Sequence, residues 1–488
     1  MTIIKKGLLG LVAILLIIAT IVIARTLAFT PEPIATEPKT TSVSPDSDLI
    51  AEHLSQAIQI PTISNDNAAL RDDASFRQFK AWLATTYPEV HQKLSLTYIN
   101  DYTLLFKWQG KTPSKPSVLF SAHYDVVPIN PGTESQWQHP PFAGVIANGI
   151  VWGRGALDDK SAVVALMESV TLLVKDTFIP EQDIYIALTH DEEIGSKEGA
   201  QAVTTFFKEH NILLAWSLDE GSFVLDGLVP GSEKRVASIN VAEKGLLTIE
   251  LIAQGEGGHS SMPPQDTAVS ILAEAIVKVK NSPVPGGLEG LGEQMYKNIA
   301  KHMDFSKRML FANTWLFKPL IEASIASSPV GNAMLRTTTA PTMLSGSVKS
   351  NVLPISATAT INFRIHPRDT VDSVLSWVEN TINDPRISIK TIQSSLPSTI
   401  SDSENQGFKN IATATSEVHG DVIITPGLTI AATDSRFYSE ITNSYRFNPM
   451  NLTPEYLSGF HGTNERIEVK SMVDAVNFYT RLMAKNNE

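Results

Sequence analysis

Asp183-Ile184-Tyr185-Ile186-Ala187-Leu188-Thr189-His190-Asp191-Glu192-Glu193-Ile194-Gly195 begins as an apolar run and stops abruptly at four ionisable residues, His190 to Glu193. A short run of this kind, rich in β-branched and aromatic side chains and bounded by polar residues, reads as a buried strand. Two adjacent carboxylates at its end invite a metal and a base. The other partners of such a site must come from elsewhere in the chain.

Working outward, the same pattern recurs. The run 118–121 leads directly into His123 and Asp125, and the run 215–218 leads into Asp219 and Glu220. Between these strands lie segments with apolar residues at helical spacing: 160–174, carrying Val163, Val164, Leu166, Met167, Val170 and Leu173, and 199–210. Alternation of strand and helix predicts an α/β fold, a mostly parallel sheet with helices on both faces. In open α/β sheets the binding crevice lies at the carboxyl ends of the strands, where these polar residues fall. Asp158 and Asp159 stand just before the 160–174 helix. His461 is available from the far end of the chain.

Towards the N-terminus, a helix over 48–59 capped by Ser47 or Asp48, a helix over 74–87 and strands over 94–99 and 104–108 are expected, with a hairpin over 144–152 turning at Asn148-Gly149. After Ser238 the style changes. A strand over 241–252, a Gly-rich loop at 255–258, a helix over 267–280, a long helical stretch over 293–326 and strands over 345–354 and 357–365 read as a smaller α+β domain. The helix over 371–382 returns to the earlier style, and a helix over 471–485 closes the chain. The expected organisation is a segment 1–28 that anchors the chain, a tether over 29–48, a catalytic domain over 49–240 and 369–488, and an inserted lid or dimerisation domain over 241–368.

The chain has 488 residues, more than one core usually serves. Its 39 Lys and Arg against 51 Asp and Glu give a formal charge of −12, with no long basic run, which argues against a nucleic-acid partner. With 0 Cys there is no disulfide, thiolate ligand or cysteine nucleophile, so any metal must use His and carboxylates. Lys5-Lys6 precede 18 uncharged residues, Gly7 to Ala24, closed by Arg25. As a helix these reach about 27 Å, close to the hydrocarbon thickness of a bilayer. The flanking lysines place that end in the cytoplasm and the remainder outside it, in a periplasmic or lumenal space. A cleaved signal peptide, with small residues near Thr26-Leu27-Ala28, is the competing reading.

Taken singly, each polar motif has an ordinary structural explanation: a His-x-Asp pair is usually just hydrogen-bonded, and Glu-Glu before a helix complements its dipole. Their recurrence in order at successive strand ends is what independent surface charges do not produce. An all-N/O donor set suits zinc, with manganese or cobalt as alternatives.

His123-Tyr124-Asp125-Val126-Val127-Pro128, the stretch Gly153 to Lys160, Asp191-Glu192-Glu193-Ile194-Gly195, Gly257-Gly258-His259-Ser260-Ser261 and Phe460-His461-Gly462 resemble the dinuclear-zinc aminoacylase/carboxypeptidase family of metallopeptidases. Within it the chain is most similar to the carboxypeptidase S and N-fatty-acyl-amino-acid synthase/hydrolase branch, through Leu218-Asp219-Glu220-Gly221, the Asn313-Thr314-Trp315-Leu316-Phe317 insertion and His461 to Arg466. The resemblance implies two Zn2+ per subunit. Asp158 bridges them, His123 and Asp219 complete one site, and Glu193 and His461 the other. It makes Asp125 the partner that orients the ligands and Glu192 the base. It makes His259 an oxyanion donor reaching a neighbouring subunit of a homodimer formed through the inserted domain, and Asn351 and Arg364 contacts to the substrate carboxylate. A planar guanidinium suits that last task.

The expected activity is hydrolysis of the amide bond of N-acyl amino acids or short peptides beside a free carboxylate. Carboxypeptidase or dipeptidase action is the alternative within the same class. A non-catalytic membrane-tethered binding protein is the alternative outside it.

Overall fold

The computed structural model describes residues 2–31 and 45–485. The tether expected over 29–48 therefore falls mostly outside the described residues; its last part is already folded, because a helix starts at Ser47.

The strand Ser117–His123 shows how the large layer is built. Val118, Phe120 and Ala122 point to one side of the sheet, among the helices Ser47–Ile58, Lys160–Lys175 and Val469–Lys485. Leu119 points to the other, against Ala200, Val203 and Phe207 of the helix Ala200–Glu209. Period-two alternation with apolar residues on both faces requires cover on both faces, and every residue of this strand is buried.

It sits in a ten-stranded sheet. The order runs Ser95–Ile99, Thr103–Trp108, Ile184–Thr189, Ser117–His123, Leu214–Asp219, Ser444–Arg446, Val236–Glu243, Val224–Leu225 and Asn451–Leu452, with Ile423–Thr429 also paired to Val236–Glu243. The centre, from Ile184–Thr189 to Ser444–Arg446, is parallel, and the first two strands add on antiparallel. The three strands that end in polar residues thus run side by side and in the same direction. His123, the Asp191–Glu193 segment and Asp219-Glu220 consequently share one edge of the sheet.

A second, four-stranded antiparallel sheet has the order Thr338–Ser345, Ser356–Ile365, Gly245–Gln254, Ile387–Ser395. Leu247, Ile249, Leu251 and Ala253 alternate with half-buried neighbours and meet Ala359, Ile361, Phe363 and Ile365 beneath the helices Ala268–Asn281 and Val371–Ile382. One face is covered and the other is open, the usual state of an antiparallel layer.

Several expected boundaries move. The strand expected over 241–252 is two strands: Val236–Glu243 belongs to the large sheet and Gly245–Gln254 to the small one, so the crossing falls at Lys244. The helix Val371–Ile382 and strand Ile387–Ser395 complete the small layer, because Val374, Val378 and Ile382 find their apolar partners there. The long helical stretch is broken into Gly290–Ala300, Phe305–Ala312, Thr314–Ala326 and Pro329–Leu335 by Asp304, Asn313 and Ser328, of which Asp304 and Ser328 cap the helices that follow them with their side chains. Met295, Ile299 and Met334 of these helices pack on Val236, Ile423 and Leu428, so they join the large layer. Residues 346–351 form no strand. The first catalytic-domain helix, Ser47–Ile58, is capped by Asp46, whose carboxylate accepts the amides of Asp48 and Leu49; such a cap contributes about 1 kcal/mol. The Asn148-Gly149 hairpin is as expected, with both residues at positive φ.

Candidate active site

At the shared sheet edge His123 is 1% exposed. Its Nε2 lies 2.9 Å from Asp158 Oδ1 and its Nδ1 3.0 Å from the Asp125 carbonyl oxygen. His461, which has positive φ, brings Nε2 to 2.8 Å from Asp158 Oδ2 and 3.3 Å from Glu193 Oε1. Asp158 therefore stands between two imidazoles, one on each oxygen. The fully buried Asp125 carboxylate accepts the amides of Glu192 and Glu193 at 3.2 Å each, which holds the single turn Glu192–Ile194 against the His123 strand.

The Asp158 loop is held from behind. Glu465 Oε1 accepts the amides of Gly155, Leu157 and Asp158 at 3.0, 2.8 and 3.1 Å, while Arg154 Nη1 donates to its Oε2 at 2.6 Å. Below it Lys160 is fully buried and donates to the carbonyls of Ala57 and Ile60, and burial lowers its pKa to about 7.

Of the neighbouring carboxylates Asp219 and Glu220, the second faces the cluster. Glu220 Oε1 lies 3.5 Å from His123 Nε2, whereas Asp219 accepts the Ser435 amide at 2.8 Å. Alternation along the strand sends neighbouring side chains to opposite sides, so only one of the pair can face the cluster. The geometry therefore places Glu220, and not the expected Asp219, beside His123.

Burial and neighbouring carboxylates raise most of these carboxyls. Glu193 is pushed up to about 7 by burial and by Asp158, Glu220 to about 8 by burial and by Asp158, and Glu192 well above its ordinary value, chiefly by burial. Asp158 goes the other way: burial opposes its charge, but the hydrogen bonds from His123 and His461 outweigh it. His461 rises to about 10 through its contacts with Asp158 and Glu193. A set of carboxylates with one buried and one exposed imidazole that perturb one another this strongly suits a bound cation. Three groups of donor atoms lie within 4.8 Å of one another: His123, Asp158 and Glu220; Asp158, Glu193 and His461; and His123, Glu192 and Glu193. The donors are all hard N and O atoms, which fits the expected divalent metal.

The cluster opens into a cleft of about 340 Å³ shared by the two layers, whose walls include Glu192, Phe223, Phe460, Arg436 and Arg364. Arg364 comes from the small sheet, opposite Leu246 and Thr338. His259 and Asn351 do not line this cleft. Both are exposed at the tip of the small layer, where His259 Nδ1 contacts Ser261 Oγ at 2.8 Å and the Asn351 carbonyl accepts the Ser260 amide at 3.2 Å.

Sequence reasoning missed Glu465, Arg436 and Asp434. Arg436 donates to the Gly195 carbonyl at 2.7 Å, and Asp434 accepts from Thr189 Oγ1 at 2.6 Å. Glu465 lies within the quoted 461–466 stretch and Arg154 within the 153–160 stretch, so opposite charges in the two quoted motifs were the available signal.

The mouse N-fatty-acyl-amino acid synthase/hydrolase PM20D1 is 39% identical over 438 residues, 88% of this chain and 86% of the relative. A probable carboxypeptidase S-like 2 of Dictyostelium discoideum is 35% identical over 486 residues, 96% of this chain and 92% of the relative. Among solved structures, the M20 family metallo-carboxypeptidase Sso-CP2 of Sulfolobus solfataricus aligns with TM-score 0.64 at 17% identity, covering 90% of this chain and 99% of its own. The family described as Peptidase family M20/M25/M40 matches residues 119–485, and the chain belongs to that family of metal-dependent hydrolases.

Proposed function

We propose that this hydrolase cleaves the amide bond of N-acyl amino acids beside their free carboxylate, using two zinc ions. The observation that carries the reading is Asp158, with an imidazole on each carboxylate oxygen and a further carboxylate beside each imidazole. His123 and Glu220 would hold one ion, Glu193 and His461 the other, and Asp158 both. Bound zinc supplies Lewis acidity for the amide carbonyl and makes a water acidic near neutral pH.

Glu192 faces the cleft, and its raised pKa suits a carboxylate that takes a proton from water and gives it to the leaving amine. Asp125 fixes Glu192 and Glu193 through their amides. Arg364, on the opposite wall, is the carboxylate partner; its fork of donors can bind both oxygens. Asn351 and His259 reach a cleft only if another subunit offers one. The exposed Met343, Leu344 and Val348 on and beside the edge strand Thr338–Ser345 support a homodimer formed there. The N-terminal helix serves as an uncleaved anchor with the catalytic body outside the cytoplasm; Thr26, at the alternative cleavage point, is helical and fully buried.

An acyl rather than a peptidyl substrate is favoured by the 39% identity to the mouse synthase/hydrolase. Full-length protein in detergent, assayed for zinc and against long-chain N-acyl amino acids, their carboxamides and dipeptides, tests the reading. Two zinc per chain and preferred release of amino acid from the N-acyl substrates are expected. Preference for dipeptides selects the carboxypeptidase reading instead, and zinc-loaded protein that binds N-acyl amino acids without cleaving them selects the binding protein.

A further inference from the structure

The helix Thr314–Ala326 is apolar on two sides. Phe317, Ile321 and Ile325 pack inward with Leu288, Phe311 and Leu335. Trp315, Leu316, Pro319, Leu320 and Ala323 recur at helical spacing on the other side, and all are exposed, Trp315 at 55% and Leu320 at 58%. The flanking charges Lys318 and Glu322 lie off this stripe, and Lys318 also pairs with Glu289 at 3.1 Å. An uncharged stripe of large side chains in water is costly at about 25 cal/mol per Å².

The start of this helix is docked to the N-terminal helix Thr2–Ala28. Asn313 Nδ2 donates to the Val22 carbonyl at 3.2 Å and to Thr26 Oγ1 at 3.3 Å, and Arg25 Nε donates to the Ala312 carbonyl at 3.1 Å. Phe29 packs against the same cluster as Phe317. Val22 belongs to the uncharged run and Arg25 closes it, so these contacts fall where the helix would leave the hydrocarbon. Most of Ile4–Ala28 is exposed and long enough to cross a membrane. Trp315 and Leu316 stand next in the chain to that point, at the depth where tryptophan is enriched in membrane proteins.

We propose that the Thr314–Ala326 helix is a second membrane contact: it lies in the headgroup region of the bilayer beside the anchor, with Trp315, Leu316 and Leu320 among the lipids. This rests on the reading of the N-terminal helix as a membrane span. An amphipathic helix parallel to the surface gains from burying its apolar stripe in the interface, and two contacts in place of one define how the catalytic body stands on the membrane.

The absence of cysteine allows single labels. Full-length Leu316→Cys, Leu320→Cys, Leu15→Cys and Leu213→Cys variants, the last an exposed site on the catalytic body, carry a nitroxide in phosphatidylethanolamine/phosphatidylglycerol vesicles. Collision with oxygen and with a water-soluble nickel chelate is then measured. Labels at 316 and 320 should resemble that at 15, oxygen-accessible and shielded from nickel several-fold more than the label at 213. Nickel-accessible labels at 316 and 320 with a shielded label at 15 overturn the second contact and leave the span standing. A nickel-accessible label at 15 overturns the span and the proposal together. Labels at 316 and 320 shielded from both reagents and broadened by spin–spin coupling show a second copy on this face, which also overturns it.

Discussion

Glu220 brings its carboxylate to 3.5 Å from the His123 imidazole, while Asp219, one residue earlier, turns away to the Ser435 amide at 2.8 Å. The two residues therefore have separable tasks. Glu220→Ala should lose bound metal and activity together. Asp219→Asn should keep its metal and lose stability instead, because the Ser435 turn is loosened. Metal analysis of both purified variants decides it, and the reverse pattern would return the ligand to Asp219.

Glu192 touches the cleft but shares no hydrogen bond with either histidine among the described residues. Glu192→Gln should keep metal content and melting temperature and lower kcat by about 10²- to 10⁴-fold, the usual worth of a positioned proton-transfer group. Near-normal turnover would remove it from the proton path.

Glu465 is fully buried and bonds to Arg154 and to the amides of Gly155, Leu157 and Asp158. In Glu465→Gln, Arg154 is left as a buried charge without its anionic partner, which costs about 3–5 kcal/mol when a buried pair is broken, and the one remaining side-chain oxygen can serve the Asp158-loop amides or Arg154 but not both. A melting temperature lower by several degrees is expected, together with weakened metal affinity and a kcat that excess zinc restores. Rescue by zinc separates positioning of Asp158 from general unfolding.

If His259 serves a neighbouring cleft, chains inactivated at different places should complement each other. A mixture of Glu192→Gln and His259→Ala chains, dissociated and reassembled, should exceed the turnover of either variant alone, because one cleft of the mixed dimer is intact. Strict additivity of the two residual rates would place His259 outside the reaction.

His366 and His419 are both held at a pKa of about 4, chiefly by burial, with Arg368 and Lys244 adding to the effect at His366. Each is neutral when folded and gains a proton more readily when unfolded. Their contribution is therefore present above the ordinary histidine pKa of about 6.5 and is lost as pH falls from there towards 4. Each should cost about 1–2 kcal/mol of stability at pH 5. Thermal unfolding of His366→Asn between pH 7 and 5 should show a shallower decline than the parent chain; equal slopes would mean that other groups control acid sensitivity.

The strands ending at His123, Thr189 and Asp219 were legible because apolar runs that stop at charged residues carry both their period and their direction. That His123, Asp158 and His461 come together was legible because metal chemistry restricts the residue types. Which of Asp219 and Glu220 faces inward was not, since a one-residue shift in where the strand ends exchanges the two faces. Glu465 acts through backbone amides some 300 positions away in sequence, and nothing local marks such a partner. The break between the two layers at Lys244 was hidden because two consecutive strands share one alternating pattern. Arg364 was legible as a residue type but not as a wall of the cleft, which exists only where the small sheet meets the large one.

The grip of Asn313 on Val22 and Thr26 has a consequence for how the enzyme could be shed. Residues 32–44 join the docked helix end to the first helix of the catalytic body, and the contacts at Asn313, Ala312 and Phe29 join the same two parts without any covalent bond. A protease that cuts between 32 and 44 therefore severs one of two attachments. With the N-terminal helix as the proposed membrane anchor, release would wait on dissociation of the helix end, and a nicked chain would stay on the membrane until that contact is lost.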